Sequence, residues 1–256
     1  MDIKKDVQQQ FGKSAESYVS STIHKEGKDL QKLLEMATVN GEEHLLDVAT
    51  GGGHTANAFA PFVKKVTAVD LTHEMLVAAD KFIKGNGHQN VDFVEGDAEK
   101  LPFSNETFDM VTCRIAPHHF PNVGKFIEEA FRVLRPQGQF LLDDNVTPED
   151  DELDQFYNTI EKIRDFSHFR AWKKTEWLRM LELAGFEIVE WQRFEKTFRF
   201  GPWCKRMNVS QEEKDKLSLF IVAASQKVKD KFRIVIEDNQ VISFQGEAIV
   251  LKAIKR

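Results

Sequence analysis

The sequence predicts an α/β fold in which a mostly parallel, doubly wound sheet carries helices on both faces. Three observations carry this. Short apolar runs end in acids, as in Leu45-Leu46-Asp47, Val66-Thr67-Ala68-Val69-Asp70 and Val91-Asp92-Phe93-Val94-Glu95. Stretches of helical periodicity separate them, and strand–helix alternation of this kind builds parallel sheets. Gly41, Gly85-Asn86-Gly87 and Pro136-Gln137-Gly138 punctuate the series.

Taken in order, an N-terminal helical region spans about Val7 to Thr38, where Leu30, Leu33 and Leu34 stand at i, i+3 and i+4. Strands are expected at 43–49, 65–70, 91–95, 107–113 and 138–144, with helices at 54–62, 72–84 and 122–134 between them. Helices near 150–165 and 174–184 follow, the second closing on Gly185. Phe186 to Trp191 reads as a strand and Ser210 to Val228 as an amphipathic helix. Phe232–Ile236, Gln240–Phe244 and Ala248–Ile254 read as β, with Glu237-Asp238-Asn239 as a turn. No repeat or linker divides the 256 residues, so one domain is expected. Its parts are an N-terminal helical cap (1–38), a ligand-binding core (39–145) and a substrate-side region (146–256), whose 195–231 insertion is a second possible cover.

The formal charge of −6, with basic and acidic residues interleaved, argues against a nucleic-acid partner. Two cysteines, Cys113 and Cys204, exclude a disulfide framework and suit a reducing cytoplasm. Met1 to Asp6 runs into Gln8-Gln9-Gln10, so no secretory signal is expected, and no apolar stretch is long enough to span a bilayer. The eight histidines show no ligand spacing, so no metal is expected.

The most informative run is Leu45-Leu46-Asp47-Val48-Ala49-Thr50-Gly51-Gly52-Gly53-His54-Thr55-Ala56. A strand ends in an acid, three glycines follow, and a helix begins; such a turn lets backbone N–H groups approach a ligand closely. Gly51-x-Gly53-x-x-Ala56 fits the dinucleotide pattern, whereas Asp47 points to a nucleoside with an amino-acid tail. Asp70 stands 70 − 51 = 19 residues past Gly51, where a carboxylate can accept hydrogen bonds from ribose hydroxyls. Asp97, after a third strand, can accept from an adenine amine while the Ala98 N–H reaches a ring nitrogen.

Together, Asp47…Gly51-x-Gly53, Asp70 and Gly96-Asp97-Ala98 resemble the cofactor motifs of class I S-adenosylmethionine (SAM) methyltransferases. Phe108-Asp109-Met110-Val111, Ala116-Pro117-His118-His119-Phe120 and Val133-Leu134-Arg135-Pro136-Gln137-Gly138-Gln139-Phe140 extend the match in order. It is closest to the UbiE-like branch, the ubiquinone/menaquinone-biosynthesis C-methyltransferases. Many relatives carry Gly where Ala49 stands, which implies a slightly tighter fit. The resemblance implies a Rossmann-like, seven-stranded sheet and SAM as cofactor. It also implies a cofactor site of Asp47, Ala49, Gly51, Gly53, Asp70, Leu71, Met75, Asp97, Ala98 and Arg114, with Tyr18 from the N-terminal motif Phe11–Tyr18.

Methyl transfer from a sulfonium needs alignment above all, and a base only when the acceptor must lose a proton. His118 and His119, just after the fourth strand, are the candidate bases. Asp144, with its neighbour Asp143 at the end of the fifth strand, His168 and Arg170 in a polar and aromatic cluster, and Trp203 are candidate substrate contacts. Phe194, Phe198, Phe200 and Trp203 suggest a small apolar, aromatic or quinone-like acceptor. The loop reads Arg114-Ile115-Ala116-Pro117 and lacks the tetrapeptide of enzymes that methylate planar amino groups. An NAD(P)-dependent oxidoreductase and a catalytically silent SAM-binding protein are the alternatives.

Overall fold

Leu45 and Leu46 point to opposite sides of one central strand, and that alternation organises the molecule. Leu45 joins an apolar cluster with Leu33, Phe59, Met110 and Leu141, while Leu46 joins one with Val111, Phe126, Phe140 and Trp177. A strand buried on both faces reads as a continuous apolar run, which is why these segments lack polar alternation.

The computed structural model describes residues 3–12 and 27–256. The strands are β1 (His44–Val48), β2 (Lys65–Asp70), β3 (Val91–Glu95), β4 (Phe108–Arg114), β5 (Leu134–Thr147), β6 (Trp172–Lys173), β7 (Phe186–Arg199), β8 (Val235–Glu237) and β9 (Gln240–Lys255). The described helices are α1 (Ile3–Gly12), α2 (Lys28–Met36), α3 (His54–Phe59), α4 (His73–Gly85), α5 (Val123–Val133), α6 (Asp151–Arg164), α7 (Lys174–Leu183), α8 (Phe200–Lys205), α9 (Gln211–Val222) and α10 (Gln226–Lys231). One sheet runs β3-β2-β1-β4-β5-β9-β7, with β6 pairing β5 and β8 pairing β9. The β1, β2, β3, β4 and β5 pairings are parallel, and β9 is antiparallel to both β5 and β7. The expected seven strands form the main path; β6 and β8 are short additions.

Four elements differ from the sequence reading. The Pro136-Gln137-Gly138 turn is a bulge within β5: Phe108 pairs with Leu134 but Met110 with Gln139, and Gln137 takes a φ of +67°. The helix expected over Ser210–Val228 breaks into α9 and α10, because the Ser225 side chain accepts from the Val228 N–H and starts a new helix. The two strands expected at 240–244 and 248–254 are one strand, β9, since Gly246 continues the pairing with β7. Finally, β7 runs on to Arg199, so the 195–231 insertion is a strand extension and three helices. These helices close a third apolar cluster with α6, built on Phe156, Tyr157, Trp203, Leu217 and Phe244.

Candidate active site

The carboxyl ends of β1, β2 and β4 and the loop after β3 meet α1 around one cleft, about 1000 Å³ to its open mouth. Open α/β sheets bind ligands at this edge.

The glycine turn forms its floor. Ala49 and Gly51 both have a φ of +53°, and a Cβ added at Gly51 would meet nothing within 4 Å. The backbone there faces open space, as a closely approaching ligand requires. Gly53 has another role. At a φ of +80° its added Cβ would lie 2.9 Å from both Ala79 Cβ and Ile83 Cδ1. Glycine at 53 therefore serves packing of the turn on α4 and does not line the cleft.

Asp47 also stands behind the wall. It is buried, and it accepts from Thr50 Oγ1 at 2.6 Å and Thr112 Oγ1 at 2.7 Å. Burial pushes its pKa up to about 6, against the pull of these hydrogen bonds. Its geometry is that of a brace for the turn. Asp70, by contrast, lines the cleft, with Oδ2 accepting from the Gly51 N–H at 2.8 Å and Oδ1 from the Thr72 N–H at 2.9 Å. A carboxylate has about four acceptor positions, so two bonds leave capacity for ligand hydroxyls. Leu71, Met75, Asp97 and Ala98 line the same cleft. The Asp97 carboxylate accepts from the Glu99 N–H and pairs with Lys4 Nζ at 2.7 Å.

Arg114 lines the cleft with its guanidinium anchored behind: Nη2 donates to Asp29 Oδ2 at 2.8 Å, and Nε lies 3.2 Å from Asp143 Oδ2. Burial and the neighbouring Asp29 charge push Asp143 up to about 8, while the Arg114 and Lys196 charges hold Asp29 below the usual carboxylate range. Tyr18 lies outside the described residues. Its motif partner Phe11 lines the cleft and meets the His119 ring edge-on at 5.1 Å.

Three histidines form one cluster. Ring centroids of His118 and His119 are 4.3 Å apart, and His168 is 5.6 Å from His118. His118 Nδ1 lies 2.5 Å from Asp144 Oδ1. Burial disfavours its cation, but the Asp144 charge prevails and raises its pKa. His119 lines the cleft, and its Nδ1 lies 3.0 Å from the Ser167 carbonyl. A carbonyl only accepts, so Nδ1 carries the proton and the neutral ring keeps a lone pair on Nε2. Burial, then the His118 charge, push His119 down to about 4.

The expected substrate contacts lie off the cleft wall. Asp144 is fully buried and engaged with His118. His168 is buried with Nε2 at 3.0 Å from Asn158 Oδ1. Arg170 pairs with Asp154 and Glu176 and lies over the Trp172 ring, so its charge is already matched. Trp203 is fully buried in the third apolar cluster with Phe198 and Phe200, and Phe194 packs on the second. These aromatics are core, because β7 and α8 fold back onto the sheet instead of over the cleft. Sequence reasoning missed Lys4, Thr50, Asp29 and Ser167; only Thr50, beside the glycines, carried a local signal.

Among the described residues no group of three or more His, Cys, Asp or Glu side chains could hold a metal, and no helix is long and apolar enough to cross a membrane. A family model described as a methyltransferase domain matches residues 46–142. The chain is 38% identical over 247 residues to the uncharacterized methyltransferase YcgJ of Bacillus subtilis, covering 96% of this chain and 98% of that protein. It is 31% identical over 177 residues to the ubiquinone/menaquinone biosynthesis C-methyltransferase UbiE of Bartonella bacilliformis, covering 59% of this chain and 66% of that protein. The crystal structure of BH2331 from Bacillus halodurans C-125 superposes with a TM-score of 0.88 at 58% identity, over 90% of this chain and 99% of that one. With the glycine turn, Asp70 and Asp97 gathered on one cleft, these likenesses favour the methyltransferase over the oxidoreductase, and the chain belongs to the class I SAM-dependent methyltransferases.

Proposed function

We propose that this enzyme methylates a small, apolar or aromatic acceptor held beside His119. The observation that carries the reading is the position of His119 on the cleft wall with Nδ1 fixed by the Ser167 carbonyl. SAM, when bound, supplies a methyl group already activated on a sulfonium. The residues that would hold it are the Gly51 and Gly52 backbone, Asp70 for ribose hydroxyls, Asp97 and Ala98 for the adenine edge, and Leu71 and Met75 as apolar walls. Asp47 and Gly53 act through the turn they brace and pack. Arg114, anchored by Asp29, borders the amino-acid end.

His119 Nε2 takes the acceptor's proton in this reading. Asp144 favours the protonated form of His118; burial first, and the His118 ring 4.3 Å away next, keep His119 neutral and able to accept. Phe11 and Val7 of α1 exclude water from the reacting centre. The chain acts as one methyltransferase domain, with α1 as cover, in a reducing cytoplasm that suits two free cysteines. The test incubates the protein with methyl-labelled SAM and a small-metabolite extract, then identifies the labelled product. Label on a small hydroxylated or carbon-acid acceptor supports the reading; label only on protein or nucleic acid overturns it.

A further inference from the structure

Asp165 is a buried carboxylate that reaches His119 through one hydroxyl. It ends α6 and is 1% exposed, and Ser167, two residues on, is 0% exposed. Burial opposes the Asp165 charge, but the His119 charge, the Ser167 hydrogen bonds and Arg164 prevail and hold its pKa below the usual carboxylate range. Asp165 Oδ1 accepts from the Ser167 N–H at 2.9 Å and from Ser167 Oγ–H at 2.5 Å. An ionised carboxylate only accepts, so the single Ser167 hydroxyl proton points to Asp165. The hydroxyl lone pairs remain, and His119 Nδ1 lies 3.3 Å away. The His119 Nδ1–H therefore meets two acceptors of one residue, the Ser167 carbonyl at 3.0 Å and the Ser167 hydroxyl. This segment is pinned against the histidines, because the Phe169 and Arg170 N–H groups both donate to the His118 carbonyl, at 2.9 and 3.0 Å. The two adjacent histidines thus differ: His118 meets Asp144 directly at 2.5 Å, whereas His119 meets Asp165 across a hydroxyl.

We propose that Asp165 is a positioning residue for methyl transfer: through Ser167 it holds His119 with Nε2 free to accept, and it stabilises the cation that this ring becomes on taking the acceptor's proton. The proposal rests on the reading that His119 is the base. As the acceptor's nucleophilic atom gains the methyl group, its proton passes to Nε2, and both ring nitrogens then carry N–H. The positive charge reaches Nδ1–H and strengthens its bonds to Ser167. Asp165 supplies the matching negative charge from behind the cleft wall, which it does not line. The surrounding groups leave it this task. Burial, then His118, disfavour the His119 cation, and Asp165 leads the groups that favour it, ahead of the Ser167 carbonyl and Asp144. Arg164 Nη1 lies 3.5 Å from Glu161 and Nη2 4.0 Å from Asp165, so this cation is shared between two acids. Lys162 Nζ donates to the Phe166 and His168 carbonyls. Burial, then the charges of His118 and His119, keep His168 neutral. From α1 the ring meets Phe11. A carboxylate in direct contact favours a cation on the resting ring, as at His118. The intervening hydroxyl leaves His119 neutral at rest and supported once charged.

Asp165→Asn isolates the charge, because Asn keeps an accepting oxygen for the Ser167 N–H and hydroxyl. The full chain, labelled with ¹⁵N at its histidine rings, is titrated by NMR in the presence of S-adenosylhomocysteine. A His118→Gln background removes the neighbouring cation and brings the His119 titration nearer neutral pH. Expected is the Nδ1–H tautomer of His119, with a lower His119 pKa in Asp165→Asn. Ser167→Ala keeps the carbonyl, cuts the hydroxyl link and should shift the titration the same way by less. In a second arm, label from methyl-labelled SAM is followed into the small-metabolite extract. Asp165→Asn alone should cut kcat roughly tenfold with the KM for SAM unchanged, since a general base is worth about 10²- to 10⁴-fold and this residue only supports it. A His119 titration unmoved by both variants overturns the proposal and leaves Asp165 as a brace for the turn after α6, whatever happens to the melting temperature. An Nε2–H tautomer in the otherwise unchanged chain overturns it too. If Asp165→Asn does not fold, Ser167→Ala decides alone. Full turnover in His119→Gln removes the base, and the proposal with it. Lost turnover in His119→Gln, with titration and turnover unmoved in Asp165→Asn, leaves the base standing while the role of Asp165 falls.

Discussion

Lys4 Nζ of α1 sits 2.7 Å from Asp97 Oδ2, the carboxylate expected to receive the adenine amine. It also lies 2.6 Å from Glu99 Oε2. In the proposed reading, α1 and the cofactor compete for one acid. None of the described side chains of α1 is buried, and its other ties include Gln8 Nε2 donating to the Leu71 carbonyl, Gln10 to Met207 Sδ, and Phe11 against His119. An element with so little apolar burial belongs to the low-stability end of a protein. Lys4→Met should speed hydrogen exchange across residues 3–12. It should also tighten SAM binding by up to about fivefold, the size of a partly exposed ion pair of at most ~1 kcal/mol. Weaker SAM binding in the variant would instead make Lys4 a ligand contact, and unchanged exchange would show that the pair does not hold α1.

Asp70 serves two tasks, and its variants separate them. Its carboxylate ties the turn to β2 through the Gly51 and Thr72 N–H groups. Asp70→Ala should lower SAM affinity about 10- to 150-fold, the loss of charge-assisted bonds worth roughly 1.5–3 kcal/mol. Asp70→Asn keeps one accepting oxygen and should retain most of the thermal stability while still losing affinity. Calorimetry on both variants beside their melting curves checks this; equal affinity in Asp70→Asn and wild type would remove the ribose assignment.

The two adjacent histidines should shift stability with pH in opposite senses. His119 has a folded pKa pushed down to about 4 from an ordinary 6.5. The unfolded chain then binds more protons, so stability falls as pH drops from about 6.5 to 4 and levels below that. His118 is raised, so its contribution is complete below the ordinary value and fades as pH rises through its folded pKa. His119→Gln should flatten the acid limb of a melting-temperature profile. With an acceptor in hand it should also cut turnover roughly 10²- to 10⁴-fold while SAM affinity holds. His118→Gln removes the neighbouring cation, so His119 should titrate closer to 6.5 by NMR. An unmoved His119 resonance would show that burial alone sets its pKa.

Much of the cofactor half was legible because its signals are local. Asp70, Asp97 and the glycines stand at strand ends, and a strand end becomes a sheet edge once the topology is parallel. Gly53 was legible as a required glycine but not as a packing glycine, since Ala79 and Ile83 reach it only through the tertiary fold. The bracing bond of Asp47 was hidden for a similar reason: Thr112, its partner, comes from β4, 65 residues on. The acceptor side was less legible. The aromatics at 194–203 suggest an apolar acceptor in the sequence, but nothing local says that β7 and α8 turn them into the core. His118 and His119 were visible as candidates, but the Ser167 carbonyl that distinguishes them lies 48 residues away.

Ala49 offers a test in which sequence and conformation disagree. It takes a φ of +53° in the turn that lines the cleft, a left-handed conformation that costs a residue with a Cβ about 1–2 kcal/mol. Glycine there would relieve that strain but add about 0.5–1 kcal/mol of unfolded-chain entropy to be lost on folding. The difference favours Ala49→Gly by about 0.5–1 kcal/mol, which for a chain of this size raises the melting temperature by about 1–4 °C. Ala49 borders the cleft while packing on the first apolar cluster, so Ala49→Gly should leave SAM affinity equal or slightly tighter. A lower melting temperature with weaker binding would mean that the Ala49 methyl group packs against the cofactor and that its contact outweighs the backbone strain.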